Sequence, residues 1–233
     1  MKRVQRPIWL ILVLVFLFAR CEKDRPVHFP DEAFLDALLE LGVDTDHDAF
    51  VSRSEAEAVL KLDVSGMGIS DLTGISAFIN LTELNCRANQ LSQIDISENI
   101  ALELLNVEGN DLTQLDVSRN TNLLDLNCNW NKLTGLDISH NTSLEILYAW
   151  DNQLSSLDLS GNTSLKDLDV GGNDFIRLDV SAIKGLLILI CSWNQLTSLD
   201  VSKNSYLEEL RCEGNRLTTL DVSKNSQLIY LLC

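Results

Sequence analysis

Asparagine recurs every 21 residues through most of the chain, at Asn89, Asn110, Asn131, Asn152, Asn173, Asn194 and Asn215. A fixed period without slippage requires one supersecondary unit stacked repeatedly, so the architecture is constrained before any local propensity is weighed. Each Asn lies in the same frame: Leu81-x-x-Leu84-x-Cys86-x-x-Asn89-x-Leu91 in one copy, Leu123-x-x-Leu126-x-Cys128-x-x-Asn131-x-Leu133 in another. Between the frames a second string, Leu-Asp-Val/Ile/Leu-Ser, begins at Leu115, Leu136, Leu157, Leu178, Leu199 and Leu220, with Ile94-Asp95-Ile96-Ser97 ahead of them.

Alternation within the unit assigns its faces. Leu84 and Cys86 fall on one side of a short strand, and Glu83, Asn85 and Arg87 on the other, as the strand period of two requires. Stacked copies then give a parallel sheet with an apolar inner face and a variable outer face. The Leu and Val of the second string close the core from the opposite side. No copy buries its apolar face alone, so stability is a sum of nearest-neighbour terms. The Asn column reads as structural, its amides bonding backbone groups in the turn that burial would otherwise leave unpaired.

The frame matches the leucine-rich repeat signature, and residues 59–233 resemble the bacterial internalin-like branch of that superfamily, whose repeats of this length carry a cysteine ladder. The resemblance rests on Leu-x-x-Leu-x-Cys-x-x-Asn-x-Leu-Thr-x-Leu-Asp-Val-Ser-x-Asn from Leu207 to Asn225. It implies an α/β solenoid, a horseshoe with a concave parallel sheet, acting as a non-catalytic recognition scaffold at a bacterial surface and binding proteins or glycans through that sheet.

Cysteine usage agrees. Cys86, Cys128, Cys191, Cys212 and Cys233 share one inward position, filled by Val107, Ala149 and Val170 in other rungs, and a free thiol there behaves as a small hydrophobe. Neighbouring rungs lie about 4.8 Å apart, but parallel side-chain vectors argue against relaxed disulfides, and a straight ladder cannot converge on a metal. The sixth, Cys21, ends a segment with basic Lys2, Arg3 and Arg6 and an apolar run from Ile8 to Ala19. That run is too short to span a membrane and fits an export signal over residues 1–20. Arg20-Cys21 resembles a bacterial lipoprotein site, with Arg20 where the pattern carries a small residue. The resemblance implies lipidation of Cys21, a linker over residues 21–29, and a lipid anchor as the sole membrane contact. Glu22-Lys23-Asp24 resembles a tag for the outer surface, which places the chain at the outer membrane.

Removing residues 1–20, with four basic and no acidic groups, leaves 14 basic against 34 acidic groups, a net charge of −20. Nucleic acid is excluded as a partner, because phosphate binding needs a basic footprint.

Residues 30–58 read as a helical N-terminal cap. Pro30-Asp31-Glu32 opens a helix with Phe34, Ala37, Leu38 and Leu41 at helical spacing and Gly42 as its stop. The following loop, Asp44 to Glu55, resembles an EF-hand calcium site. That resemblance implies oxygens from Asp44, Asp46, Asp48, the Phe50 carbonyl, Ser52 and both carboxylate atoms of Glu55, since calcium takes six to eight hard ligands. Ala49 stands where the motif carries glycine, so a positive φ is expected there at about 1 kcal/mol of strain. Without metal the same residues form an acidic turn before a second helix.

The outward sheet positions nominate a binding site. Trp130, Ile146, Tyr148, Trp150, Asp167, Asp169, Ile188, Ile190 and Trp193 cluster on or beside one face in mid-array, and large outward apolar side chains mark interaction surfaces. Mutual cover by neighbours on a broad sheet is the structural alternative. Asp95, Asp116, Asp137, Asp158, Asp179, Asp200 and Asp221 form a further outward column, read as local turn bonding with the following Ser or, alternatively, as a cation stripe. His28, His47 and His140 are scattered, and no phosphate loop or paired metal motif is present, so no enzyme is expected. The chain stops at Cys233 inside a rung. Truncation, or self-association through an uncapped edge as an assembly subunit, would account for that.

Overall fold

The computed structural model describes residues 25–233; the readings on the export signal and Cys21 lie outside them. Two helices come first, α1 (Glu32–Glu40) and α2 (Arg53–Ala58). Then nine strands follow in order: β1 (Lys61–Asp63), β2 (Glu83–Asn85), β3 (Leu104–Asn106), β4 (Asp125–Asn127), β5 (Ile146–Tyr148), β6 (Asp167–Asp169), β7 (Ile188–Ile190), β8 (Glu209–Arg211) and β9 (Tyr230–Leu232). They make a single parallel sheet in sequential order, the β-solenoid that the 21-residue period demands. Pairing of Lys61 with Glu83, against Glu83 with Leu104, makes the first rung one residue longer than the repeat.

The alternation is as the sequence requires. From β2 to β8 the central Leu is buried and its two neighbours are half-buried. Leu84, Cys86, Leu91, Ile96 and Leu102 are the buried apolar set of one rung, and the pattern repeats along the core. Cys86, Cys128, Cys191 and Cys212 are buried free thiols, whereas Cys233 is exposed. Burial pushes Cys86 and Cys128 up to about 12, leaving no thiolate at neutral pH.

The far side of each rung is not a strand. Val117, Ile138, Leu159, Val180 and Val201 fill the core as expected, but the only ladder contact there among the described residues is an isolated bridge between Asp116 and Asp137. The cause is local. Each Asp in this column accepts the N–H of the Ser two residues on, as Asp137 Oδ1 does from Ser139 at 2.9 Å and Asp158 Oδ1 from Ser160 at 2.9 Å, so that donor is turned away from the next rung.

Two asparagine ladders stitch the rungs together. At the end of the strands, Asn131 donates its amide to Val107 O (3.0 Å) and Cys128 O (3.2 Å) and accepts from Leu112 N–H (3.0 Å), so three buried backbone groups from two rungs find partners in one side chain. The second ladder, Asn99, Asn120, Asn141, Asn162, Asn204 and Asn225, escaped the sequence reading although it shares the period. Asn141 donates to Val117 O (3.1 Å) and Asn120 O (2.8 Å), but its Oδ1 has no partner, like that of the other five. Buried Ile183 stands in this ladder in one rung.

The N-terminal helices sit against the first rung. Asp31 caps α1 by accepting from Phe34 N–H (3.1 Å), and its other oxygen accepts from Ser70 N–H (2.8 Å) and Asp71 N–H (3.0 Å). Phe34 and Phe78 both pack edge-on to Phe29, at 5.3 and 6.4 Å between centroids. Phe34, Ala37 and Leu38 are buried, but Leu41 is exposed because it is the C-cap residue, beyond the last full turn. At the other end Ile229, Tyr230, Leu231 and Leu232 are exposed. Among the described residues no helix is long and apolar enough to cross a membrane.

Candidate functional site

The sheet face is built from three columns of side chains. The first alternates acid with apolar from Glu83 through Leu104, Asp125, Ile146, Asp167 and Ile188 to Glu209. Acids therefore stand two strand spacings apart, about 10 Å, which softens their repulsion. Six of the nine nominated residues lie on three adjacent strands in register: Ile146 beside Asp167 beside Ile188, and Tyr148 beside Asp169 beside Ile190. All six are half-buried, as is Trp150. Side chains on this sheet cover one another more than a reading of isolated columns implies.

Trp130 and Trp193 differ from the rest. They are 51% and 61% exposed, and both lie in the left-handed region, with φ of 49° and 54°. They belong to a column the sequence reading did not identify: Gly66, Ala88, Gly109, Trp130, Asp151, Gly172, Trp193 and Gly214 all have positive φ. The column forms because the N–H of each of these residues from Gly66 to Trp193 reaches the next rung, as Trp130 does to Trp150 O and Trp193 to Glu213 O, both at 2.8 Å. Glycine meets the requirement without strain, whereas a tryptophan there costs about 1 kcal/mol. Glycines mixed with other residues at a fixed spacing were the available signal.

Trp150 lies over the next rung. A Cβ on Gly171 would sit 2.0 Å from Trp150 Cζ3, so the ring fills the space that the missing side chain leaves. Gly214 similarly accommodates the Trp193 ring, 2.8 Å from where its Cβ would be. Trp150 N–H is also held by Asn129 Oδ1 at 2.6 Å. This ring is therefore positioned by its neighbours, with a half-exposed remainder.

The acids of this region are unusual for a surface. Burial, with the nearby Asp167 charge adding to it, pushes Asp169 up to about 6, against the hydrogen bond from Gly171 N–H. Burial also raises Asp167, despite the bond it accepts from Tyr148 Oη at 2.6 Å, and raises Asp125. Tyr148 is raised in turn by burial and by that same bond. Earlier rungs pair their polar groups within the sheet: Asn85 donates to Asp63 at 3.0 Å and Asn127 to Glu108 at 2.7 Å. In the later rungs Asp167 Oδ1, Ser192 Oγ and Glu213 Oε2 are buried atoms without hydrogen-bond partners.

The Asp44 loop is a second candidate. One oxygen each from Asp44, Asp46 and Asp48 lies within 4.8 Å of the others. Ala49 has the expected positive φ, 67°, and His47 shares it at 60°. Asp44 organises the turn, accepting from His47 N–H (2.7 Å) and Ala49 N–H (2.9 Å). Glu55 is not gathered with the aspartates. Its Oε1 accepts from Thr45 N–H (2.6 Å), and its Oε2 from the N–H and hydroxyl of Ser52 (both 2.8 Å), a capping box at the start of α2. Partial burial opposes ionisation there, yet these bonds hold Glu55 at about 2. The donor set thus fits a divalent cation through its three aspartates, with Ser52 and Glu55 engaged in the helix cap and Phe50 exposed.

No protein-family model and no curated protein matches the sequence. Solved structures do. The functional domain of InlJ from Listeria monocytogenes, described as including a cysteine ladder, is 33% identical over 88% of this chain and 51% of its own length, with a TM-score of 0.70. This chain therefore spans about half of that domain. Internalin C2 of the same organism superposes with a TM-score of 0.81 over 88% of this chain and 94% of its own, at 21% identity. A leucine-rich repeat protein of Leptospira interrogans gives 0.54 at 26% identity, over 66% of this chain and 49% of its own. The chain has the leucine-rich repeat type of parallel solenoid, and its structural neighbours are internalins and other leucine-rich repeat proteins.

Proposed function

We infer that the chain is a non-catalytic recognition protein of a bacterial surface that grips a protein partner with the sheet face around β4 to β8. The observation that carries this is the pair Trp130 and Trp193. Both are large, exposed and held in a left-handed turn where four other rungs carry glycine. Strain retained at exposed aromatic positions that fill no core is a mark of use. The internalin and leucine-rich repeat neighbours, typically interaction modules without enzymatic activity, support the reading. Glycans are the other ligand class that stacks on such rings.

The test is a tryptophan-fluorescence titration with peptide and oligosaccharide panels. Trp130→Gly/Trp193→Gly is expected to abolish saturable binding while the melting temperature holds or rises, because glycine relieves the turn. Saturable binding that survives this variant places recognition elsewhere.

Two further parts of the reading concern the N-terminus. Calcium at Asp44, Asp46 and Asp48 would neutralise adjacent charges and stiffen the loop that leads into α2. Terbium luminescence abolished by Asp46→Asn/Asp48→Asn is the expected result, and none in the unmodified chain would refute it. Lipidation at Cys21 would tether the solenoid to the outer membrane. Mass spectrometry of the exported chain should find an acylated Cys21, and Cys21→Ala should release it.

A further inference from the structure

Among the described residues, six of the nine buried side-chain atoms without partners are the Oδ1 atoms of the second asparagine ladder. They recur rung after rung and belong to the repeat. Of the other three, Ser192 Oγ and Glu213 Oε2 fall in one sheet-face column on neighbouring rungs, and Asp167 Oδ1 lies in another column one rung earlier. Ser192 is wholly buried. It stands in the outward column between Gly171 and Glu213, with the Trp150 ring over Gly171. Ser192 Oγ and Glu213 Oε2, both shielded from water, leave a deficit of partners on the rungs that follow the Trp150 ring, and Asp167 Oδ1 adds a third acceptor about 13 Å back along the strand direction. A buried acceptor without a donor is a cost that a bound group removes.

We propose that this locus, formed by Asp169, Ser192, Glu213 and Trp150 with Asp167 at its edge, is a receptor for a lysine or arginine side chain presented by a protein partner. The proposal rests on the recognition function inferred above and names its anchor. Only a cation both supplies the missing donors and neutralises the acids, and an ammonium or guanidinium beside a Trp face gains a cation–π term. Arg211, on the same face, pairs with Glu209 through its Nε and stacks 5.1 Å from the Tyr230 ring centroid, so its charge reaches Asp169 and Glu213 without a hydrogen bond to either. Arg211, two strands away in the same column, offsets only part of the burial that pushes Asp169 up. A net charge of −16 over the whole chain draws basic partners in from a distance.

The experiment must separate this locus from general acidity. An immobilised panel of short peptides, basic, apolar and acidic, with a glucosamine oligomer as a cationic glycan, is probed with four forms of the protein. These are the unmodified chain, Asp167→Asn/Asp169→Asn, the charge-matched far-side Asp137→Asn/Asp158→Asn, and Ile188→Asp/Ile190→Asp. Melting curves confirm that all four are folded. The expected result is binding of Lys- or Arg-bearing peptides by the first and third forms, weakened about tenfold or more in the second. Equal weakening in the second and third forms would reduce the effect to net charge and overturn the proposal. Binding confined to the glucosamine oligomer would overturn the protein assignment. Non-basic peptides lost only with the Ile variant would overturn the cation receptor but keep the sheet-face recognition, and no binding dependent on any sheet residue would overturn both.

Discussion

Between β4 and β6 the two faces of the solenoid hold their aspartates in opposite conditions. On the far side, side-chain and backbone bonds from Ser118 lower Asp116, and bonds from Ser139 lower Asp137, against weak desolvation. Such an acid is at rest in every rung. On the sheet face, burial raises Asp125, Asp167 and Asp169, and two of these crowd the same rung. The same residue type, placed by the same period, is a turn-former on one side and an unbalanced charge on the other. What differs is burial, which on the sheet face outweighs the bonds from Tyr148 and Gly171 and on the far side is too slight to offset those from serine.

The largest break in this contrast comes from the ladders that frame the faces. Asn131→Ala should destabilise by about 3 kcal/mol or more, because it strips partners from Val107 O, Cys128 O and Leu112 N–H at once. Asn141→Ile should cost clearly less, since its oxygen bonds to nothing and Ile183 already occupies that ladder in another rung. Equilibrium denaturation of both variants decides, and equal losses would dissolve the distinction.

Asp169→Asn is expected to stabilise the chain at pH 8 by something on the order of 2 kcal/mol. The sign follows from the raised acid: above pH 6 the folded state carries a charge that the unfolded state solvates better. On acidification from pH 7 towards 4 the folded form binds that proton first, so stability rises between about 6 and the ordinary value of 3.8. The far-side acids run the other way. Their folded values are depressed, so their contribution is present above 3.8 and is lost as pH falls through the lowered values. Melting temperatures across pH 3 to 8 should therefore pass through a maximum, with the rise on its neutral side removed in Asp169→Asn. Smallest of all is Asp137→Ala, which removes the bond to Ser139 N–H at an exposed turn; its melting curve should fall only slightly, with no change in ligand binding.

Much of this was legible in the period. The buried Leu positions, the cysteine ladder and the Asp-to-Ser bonds follow from alternation and turn chemistry at a spacing of 21. The second asparagine ladder was equally visible at Asn99, Asn120, Asn141 and Asn162 but went unread beside its neighbour. Other features were not legible for physical reasons. The burial of Asp169 and of Ser192 depends on surrounding side chains, and the place of the Trp150 ring depends on a glycine in the next rung. Left-handed φ at Trp130 and Trp193 is imposed by a bond to a following carbonyl, against the residue's own preference. Leu41 and Cys233 carry the right residue type at positions where the packing ends.

The left-handed column allows chemical variety without redesign. Its backbone geometry is dictated by hydrogen bonds between rungs, so the side chain there is released from any duty to the core. Glycine, alanine, aspartate and tryptophan already occupy it in this chain. A descendant sequence could revise what it grips one letter at a time along that line, each glycine replaced costing about 1 kcal/mol of backbone strain, while the scaffold that presents the letters stays the same.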